Sequence, residues 1–414
     1  MTEDHIALPE YKPELFINRE PEVKHVFDRV EALLAGIPQE TRTIAFIGER
    51  GTGKSWLLKH LHYRIKSELP DIGIVLLDLL QEEPPSVAQT LLTFNEILTG
   101  KRDIPGATLP DLSRAVMQNV RQFIHGKPLI VLVDHVYEWD WKLLPGLEDY
   151  LLGPLAIETK TLIVLAGRGR EYPWKTLELR FKAEFVDLQP FQSASETTEQ
   201  LVRLAETPGQ LDRQFLRRTD LMMAERAEEI HNISGGNPLG NFLLATNMDW
   251  AQGLDSMIEK VLEIVPSDRR LRVREYLEAL SVLRSFDEER ILSLLAAYHN
   301  DMTIHNWSFA QARQVREELV ARTAFAHWSE EQGGYVIDRF IRSLFERYLK
   351  TAKTNQWETL HGAALRHYTK WHATYSAAKN RWQAEIDHHE SILRSVGVNP
   401  ELYLRTAEPT ASKI

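Results

Sequence analysis

Between about Phe16 and Pro190, short apolar runs rich in β-branched residues alternate with stretches whose apolar residues recur at helical spacing. That alternation predicts a parallel sheet whose strands are separated by covering helices. The predicted strands are Thr43–Ile47, Gly73–Leu79, Leu129–Asp134, Thr161–Ala166 and Glu184–Leu188. The longest apolar runs, Ile72–Leu80 and Pro128–Val133, fit buried strands. Helices are expected over Glu22–Leu34, Lys54–Leu69, Val87–Leu98 and Leu112–Ile124, the last with Asp111 as its N-cap.

Beyond Pro190 the strand pattern ends. Ser195–Glu206 and Arg213–Ile230 read as helices, and Gly235-Gly236-Asn237-Pro238 breaks the pattern before a helix running to about Leu244. From Ser267 to about Lys350 the predicted order is helix, helix, helix, hairpin, helix. The third helix is Phe309–Leu319, and the hairpin pairs Ala324–Trp328 with Tyr335–Ile337 across Gly333-Gly334. This is the layout of a winged helix. Asn355–Val396 reads as an amphipathic stretch with Trp357, Leu360, Ala364, Tyr368 and Trp371 on one face, and a second helix after about Ala377. The tail beyond Leu404 is expected to fray.

A chain of 414 residues exceeds one ordinary core. Its apolar fraction of 43% and charged fraction of 26% are those of a soluble globular protein. A net charge of −10 argues against a surface that neutralises a long stretch of duplex, while leaving a local basic face open. The absence of cysteine excludes disulfides, thiolate zinc sites and cysteine nucleophiles. Met1–Glu10 carries Glu3, Asp4 and Glu10 without an apolar core, so no signal peptide is expected there. No apolar run approaches the length of a membrane span. A cytoplasmic location is expected.

Chemistry enters at Gly48-Glu49-Arg50-Gly51-Thr52-Gly53-Lys54-Ser55, a full G-x-x-x-x-G-K-[ST] motif between a predicted strand and a predicted helix. Glycines at 48, 51 and 53 let the backbone turn its N–H groups toward phosphate oxygens, and the helix start that follows favours the same anion. Lys54 is expected to reach the β- and γ-phosphates and the Ser55 hydroxyl to ligate Mg²⁺. Glu49, Arg50, Thr52 and Trp56 complete the contact set expected around the nucleotide. The run Leu129–Val133 ends in Asp134, the second expected Mg²⁺ residue. Hydrolysis further needs a group that orients or deprotonates water. His135 directly follows Asp134, and Glu138 and Asp140 lie close behind; Glu138 is the catalytic candidate and a solvated loop acid is its bland alternative. His388-His389 beside Asp387 and Glu390, and His367 with His372, have spacings that do not bring imidazoles to one helix face, so no metal is expected there. Trp139, Trp141 and Trp174 are expected to pack rather than to bind.

With these residues in hand, the chain from about Phe16 to Lys350 resembles the STAND class of signal-transduction P-loop ATPases, which includes the NB-ARC and NACHT proteins. Phe16-Ile17-Asn18-Arg19-Glu20 is similar to that family's F-[VI]-G-R-E segment, which lies against adenine; this implies adenine contacts by Phe16, Ile17 and Arg19, with Asn18 in place of glycine. Leu162–Arg168 is similar to the next strand and its sensor arginine, which implies that Arg168 reads the γ-phosphate, with Arg170 as a substitute. Leu188-Gln189-Pro190-Phe191 and Glu196 look like the junction to the lid. Gly236-Asn237-Pro238 resembles the G-x-P motif, which implies that Pro238 packs on adenine. Val336-Ile337-Asp338 stands where the family has M-H-D, with Ile337 replacing the histidine that contacts the ADP β-phosphate.

The resemblance implies an α/β fold: a P-loop NTPase parallel sheet with helices on both faces, an all-α lid, a winged-helix domain and a C-terminal helical segment. The corresponding boundaries are 1–190, 191–265, 266–352 and 353–414. It implies a nucleotide-gated switch that binds ATP or ADP with Mg²⁺ between sheet, lid and winged helix, hydrolyses slowly, and oligomerises. A partner protein is expected to supply sensing or output, with Asn355–Val396 as a docking face or the stump of a repeat array. Two rivals stand beside this. One is a DNA-acting ATPase whose Phe309–Leu319 helix reads duplex; its mixed Arg313, Arg316, Glu317 and Glu318 face suits packing better than phosphate contact. The other is a non-hydrolysing, nucleotide-stapled scaffold, motivated by His135.

Overall fold

An apolar residue stands at every position from Leu129 to Val133, and both sides of that strand are covered. Leu129, Val131 and Val133 enter one core cluster while Ile130 and Leu132 enter another, as the two-residue period of a strand requires. The strands are β1 (Thr43–Ile47), β2 (Gly73–Asp78), β3 (Leu129–Asp134), β4 (Thr161–Ala166) and β5 (Ala183–Asp187). They form a five-stranded sheet in the order β2-β3-β4-β1-β5, and every pairing is parallel. β4 therefore lies between β1 and β3. All the strands end at the same edge, which carries Gly48, Asp78, Asp134, Gly167 and Leu188.

In the computed structural model the described residues are 10–79, 86–103, 108–136, 143–168, 174–207, 220–246, 250–263, 265–301, 303–304, 307–323, 325–375 and 378–405. The chain divides into two units, Met1–Thr246 and Asn247–Ile414.

In the first unit, helices α1 (Glu20–Leu34) and α2 (Lys54–Glu68) bury Val23, Val26, Val30, Leu57, Leu58, Leu61 and Ile65 on one sheet face. The other face is covered by α3 (Val87–Thr99), α4 (Leu109–Gly126), α5 (Leu143–Leu147) and α6 (Gly153–Ile157), through Leu91, Phe94, Val116, Val120, Leu147 and Leu155. The short α7 (Leu177–Phe181) precedes β5. Helix α4 begins earlier than Asp111. Pro110 stands in its first turn, where no N–H is needed, and the Thr108 hydroxyl caps it by accepting the Asp111 N–H at 3.4 Å. After β5 come α8 (Ala194–Glu206), α9 (Asp220–Ser234) and α10 (Pro238–Thr246). Ser193 caps α8, and Glu196 reaches back to its backbone N–H at 2.7 Å. The predicted helix over Arg213–Ile230 starts at Asp220 among the described residues and runs on to Ser234.

The second unit comprises α11 (Trp250–Leu262), α12 (Ser267–Leu280), α13 (Glu288–His299), α14 (Phe309–Glu317), the hairpin β6 (Ala326–Ser329) and β7 (Gly334–Ile337), α15 (Arg339–Ala352), α16 (Thr354–Thr374), α17 (Lys379–Ser395) and α18 (Glu401–Arg405). The strands pair antiparallel, with Ala326 opposite Ile337 and Ser329 opposite Gly334. The first strand runs one residue past the expected Trp328, and the second starts one residue before the expected Tyr335 and ends at Ile337 as expected; Ala324 lies outside the described residues. In the stretch expected to be a docking face or the stump of a repeat array, four of the five residues of the predicted apolar face are covered within the unit. Trp357, Leu360, Ala364 and Tyr368 are 0–2% exposed, because α16 packs against α13, α15 and α17. The buried imidazoles here come from facing helices rather than from adjacent positions: His361 Nδ1 lies 2.8 Å from His389 Nδ1. No helix among the described residues is long and apolar enough to cross a membrane.

Burial holds several of these imidazoles neutral. It lowers His361 from the ordinary 6.5 to about 3, and His367 and His388 to about 4. As pH falls below 6.5, the unfolded chain takes up protons that the folded chain refuses, so stability is full above about 6.5 and declines toward pH 4. Thermal melts of the full chain between pH 7 and 4 should show this loss. His367→Phe, which keeps the ring beside Trp371 and Tyr368, should flatten the decline; an unchanged slope would assign it elsewhere.

Candidate phosphate-binding site

After β1 the chain turns through Gly48, Gly51 and Gly53 at φ 151°, 83° and 96°, which a Cβ-free residue adopts without strain. Two of these glycines are also held in close quarters. A Cβ at Gly48 would lie 2.8 Å from the Leu188 carbonyl oxygen, and one at Gly51 would lie 2.7 Å from Leu239 Cβ. Helix α2 starts directly at Lys54, so its N-terminus faces the loop. The Lys54 side chain is 7% exposed, and its ammonium donates to the carbonyls of Gly48 at 2.8 Å and Glu49 at 2.7 Å. The Thr52 hydroxyl also donates to the Glu49 carbonyl, at 3.0 Å. Ser55 and Trp56 follow, half-buried, in the first turn of α2.

Groups from two other segments grip the outside of the loop. Asn237 Nδ2 donates to the Arg50 carbonyl at 2.7 Å, the Leu239 N–H to the Gly51 carbonyl at 3.3 Å, and Arg19 Nη2 to the Thr52 carbonyl at 2.9 Å. Arg19 also reaches the Gln189 carbonyl, at 2.5 Å, and so joins the segment before α1 to the loop and to the junction after β5. Asn18 and Arg19 have φ of 58° and 77°. Asn18 thus makes the turn for which glycine would serve, and its side chain donates to Glu196. Burial works to raise the Glu196 pKa, yet the N–H donors of Ser193 and Gln192 and the Asn18 amide outweigh it and hold the carboxylate below its ordinary value.

At the sheet edge Asp134 is 4% exposed. Asp78 ends β2 in register with it. His135, at φ 60°, points Nδ1 at Asp78 Oδ1 from 2.8 Å and lies 3.6 Å from Asp134 Oδ2. Asp78, Asp134 and His135 form the cluster of candidate metal ligands among the described residues, with ligand atoms within 4.8 Å of one another. Arg168 follows β4 and Gly167, and β4 lies between β1 and β3, so its backbone emerges between the loop and Asp134. Glu138, Asp140, Arg170, Trp139 and Trp141 lie outside the described residues. Trp174 packs in the core at 2% exposure.

A set of rings lies within about two turns of the loop along α2. Phe16 stacks on His60 with centroids 3.9 Å apart, and the Tyr11 hydroxyl meets His60 Nδ1 at 3.1 Å. Tyr11 also stands edge-on to Trp56 at 5.7 Å. Burial lowers the His60 pKa and raises that of Tyr11 to about 12, so both are neutral near pH 7. Arg203 of α8 holds the Phe16 carbonyl at 2.8 Å. Ile17, next to Phe16 in the chain, is 8% exposed. Pro238 opens α10, and its carbonyl accepts from Gln200 Nε2 at 2.8 Å.

Sequence reasoning missed Asp78 and the role of Asn237. Asp78 carries the same signal as Asp134, an apolar run closed by a carboxylate. Asn237 reads only as a helix-start residue, and no local pattern reveals that its amide also reaches the loop.

The parallel sheet, its strand order and the loop between β1 and α2 give this chain the α/β P-loop NTPase fold. No protein-family model matches the chain, and no curated protein sequence does. Solved structures similar to it include the Aeropyrum pernix ORC1 protein in complex with DNA, at 15% identity, TM-score 0.45, covering 84% of this chain and 97% of that one. Cdc6p from Pyrobaculum aerophilum matches at 11% identity and TM-score 0.45, over 83% and 97% of the two chains. The Thermotoga maritima RuvB Holliday junction branch migration motor matches at 16% identity and TM-score 0.35, over 83% and 97%.

Gly51 tests the close approach of α10 to the loop. Gly51→Ala meets both a left-handed φ and Leu239 Cβ at 2.7 Å, and should cost about 1–3 kcal/mol of stability in denaturant unfolding. Hydrogen exchange at the Leu239 amide should rise with it.

Proposed function

We propose that this protein is a nucleotide-dependent switch of the STAND ATPase type, binding ATP or ADP with Mg²⁺ at Gly48–Ser55 and hydrolysing ATP slowly. The observation that carries the reading is the loop itself. Its glycines hold left-handed angles, its lysine is buried against its own carbonyls, and a helix starts at its end. Such a loop presents backbone N–H groups and an ammonium to an anion.

A polyphosphate would compete with the carbonyls of Gly48 and Glu49 for the Lys54 ammonium. The Ser55 hydroxyl and the Asp134 carboxylate are hard oxygen donors, which suit Mg²⁺. Mg²⁺ would neutralise charge on the phosphate oxygens as the terminal bond breaks. Arg168, at the edge between them, is the proposed γ-phosphate sensor. Phe16, Ile17, Arg19 and Pro238, with Trp56, are the proposed base-side residues; the neutral rings of Tyr11 and His60 beside them suit an uncharged aromatic partner. Slow hydrolysis is proposed because His135 stands where an acid would activate water, with its ring nitrogen engaged by Asp78. Glu138 remains the proposed water-orienting acid.

The switch reading rests on the order of motifs: Phe16–Glu20, the loop, Asp134, Arg168, Gly236-Asn237-Pro238 and Asp338. Division into nucleotide-binding, lid, winged-helix and C-terminal parts, oligomerisation and a signalling partner belong to the same proposal. In the second unit Asp338 accepts from His327 Nδ1 at 3.2 Å, an imidazole supplied by β6 rather than by position 337. The DNA-acting alternative is weakened by the contacts of α14 and the turn after it: Arg316 pairs with Glu288 and lies over the Tyr335 ring, and Glu318, just past α14, pairs with Arg269.

Purified protein should release adenine nucleotide on denaturation, or bind Mg–ATP in calorimetry, and Lys54→Ala should weaken binding at least about a hundredfold. Equal binding by the variant would sink the loop assignment. Phosphate release above background, lost in Lys54→Ala, separates a slow ATPase from a stapled scaffold; salt-sensitive affinity for duplex DNA would promote the DNA-acting alternative.

A further inference from the structure

A peptide group is planar and trans, so the carbonyl of one residue and the N–H of the next point in opposite directions. Whatever holds a carbonyl outward therefore holds the following N–H inward. Along this loop the carbonyls from Gly48 to Thr52 all accept hydrogen bonds, and the donors fall into two groups. Those of Gly48 and Glu49 are taken by Lys54 from within the loop. Those of Arg50, Gly51 and Thr52 are taken from outside it, by Asn237, Leu239 and Arg19. The outside grips orient the N–H groups of Gly51, Thr52 and Gly53, the stretch that leads into the start of α2.

From this geometry we propose that Asn237 is a positioning residue for polyphosphate: it sets the loop's N–H groups from the helical segment after β5 and touches no nucleotide itself. The inference rests on the nucleotide reading above. Asn237 is 0% exposed. Its Oδ1 accepts the Gly240 N–H at 3.1 Å, which caps α10, while its Nδ2 donates to Arg50. An acceptor facing an N–H and a donor facing a carbonyl fix the amide in one orientation. The Ser234–Asn241 contact at 2.5 Å and the Asn241–Gln200 contact at 2.9 Å brace the same turn from behind. Leu239, two residues on, supplies its own N–H to Gly51, so the start of α10 and the loop are joined by adjacent bonds rather than by one mobile side chain.

The consequence is selective. Loss of the grip frees the Arg50–Gly51 peptide to rotate and weakens recognition of phosphates. It leaves the ring set around Phe16 and His60 in place. A residue that merely stabilised α10 would instead weaken phosphate and base binding alike.

Asn237→Asp separates these roles. Aspartate is as good an N-cap as asparagine and still accepts from Gly240, but turns an oxygen instead of an N–H toward the Arg50 carbonyl. Asn237→Ser, a cap too short to span to Arg50, serves as a second variant should the first fail to fold. Calorimetric or competition titrations of the full chain with Mg–ATP, tripolyphosphate and adenosine are compared with Lys54→Ala. The expected result is about tenfold weaker ATP and tripolyphosphate binding in both Asn237 variants, from the loss of one hydrogen bond and an ordered loop. Adenosine binding should stay near the parent's, while the unfolding temperature falls in both variants because the Arg50 carbonyl loses its donor and, in the aspartate, a buried carboxylate faces it. Parent-like tripolyphosphate affinity in the variants, or an equal loss for adenosine, overturns the inference while the nucleotide reading stands. A parent protein that binds neither ATP nor tripolyphosphate in a Lys54-dependent way overturns both.

Discussion

A backbone loop can point several N–H groups into one hollow only if the matching carbonyls, turned the other way, find donors of their own. Buried peptide carbonyls left without donors are costly, so the phosphate loop of this protein cannot be a self-contained device. The donors come from its own lysine, from Arg19 before the sheet and from the first turn of α10 after it. This requirement makes the segment before α1, the loop and the helices after β5 one assembly, although a long stretch of sequence separates Arg19 from Asn237. It also explains why the first unit extends to Thr246 rather than ending with the sheet.

The same constraint bears on Lys54. An ammonium that is 7% exposed must be solvated by the protein, and here carbonyl dipoles do this at 2.7–2.8 Å. Carbonyl dipoles solvate a cation less well than an anion does, so the proposed polyphosphate would compete for it on favourable terms. The sheet contributes rigidity. With β4 between β1 and β3, the loop, the Arg168 backbone and Asp134 are spaced by strand pairing, and strand spacing of about 4.8 Å does not depend on side-chain chemistry.

What the sequence made legible follows from how local each signal is. β1, β3 and β4 match their predicted limits because a strand covered on both faces shows an unbroken apolar run bounded by polar residues. The motif at Gly48–Ser55 is local in the same way. Helix α4 was misplaced at its start because Thr108 and Asp111 are both good caps, and only the proline between them decides which one serves. The apolar face of α16 was legible, but not what covers it. A stripe of Trp357, Leu360, Ala364 and Tyr368 looks the same whether it meets a partner or α17. Asp78 and Asn237 escaped for a related reason: each is an ordinary strand-end or helix-start residue locally, and its second contact belongs to the tertiary fold.

Backbone strain marks the same edge independently. Among the described residues, the non-glycine positions with positive φ are Asn18, Arg19, His135 and Asn300. Asn300 ends α13 in the left-handed turn that asparagine commonly makes there. The remaining three lie around the phosphate loop and the carboxylate of Asp134. Asparagine adopts such angles cheaply, whereas an arginine or a histidine gives up roughly 1–2 kcal/mol to do so. Both strained residues are anchored by the contacts the strain makes available: Arg19 at the carbonyls of Thr52 and Gln189, His135 at the carboxylate of Asp78. A relaxed backbone would turn the guanidinium off the loop and the imidazole off the sheet edge. Strain of this kind persists only where the surrounding structure over-determines it, and here the over-determination comes from the parallel strands below and the carbonyl grips above.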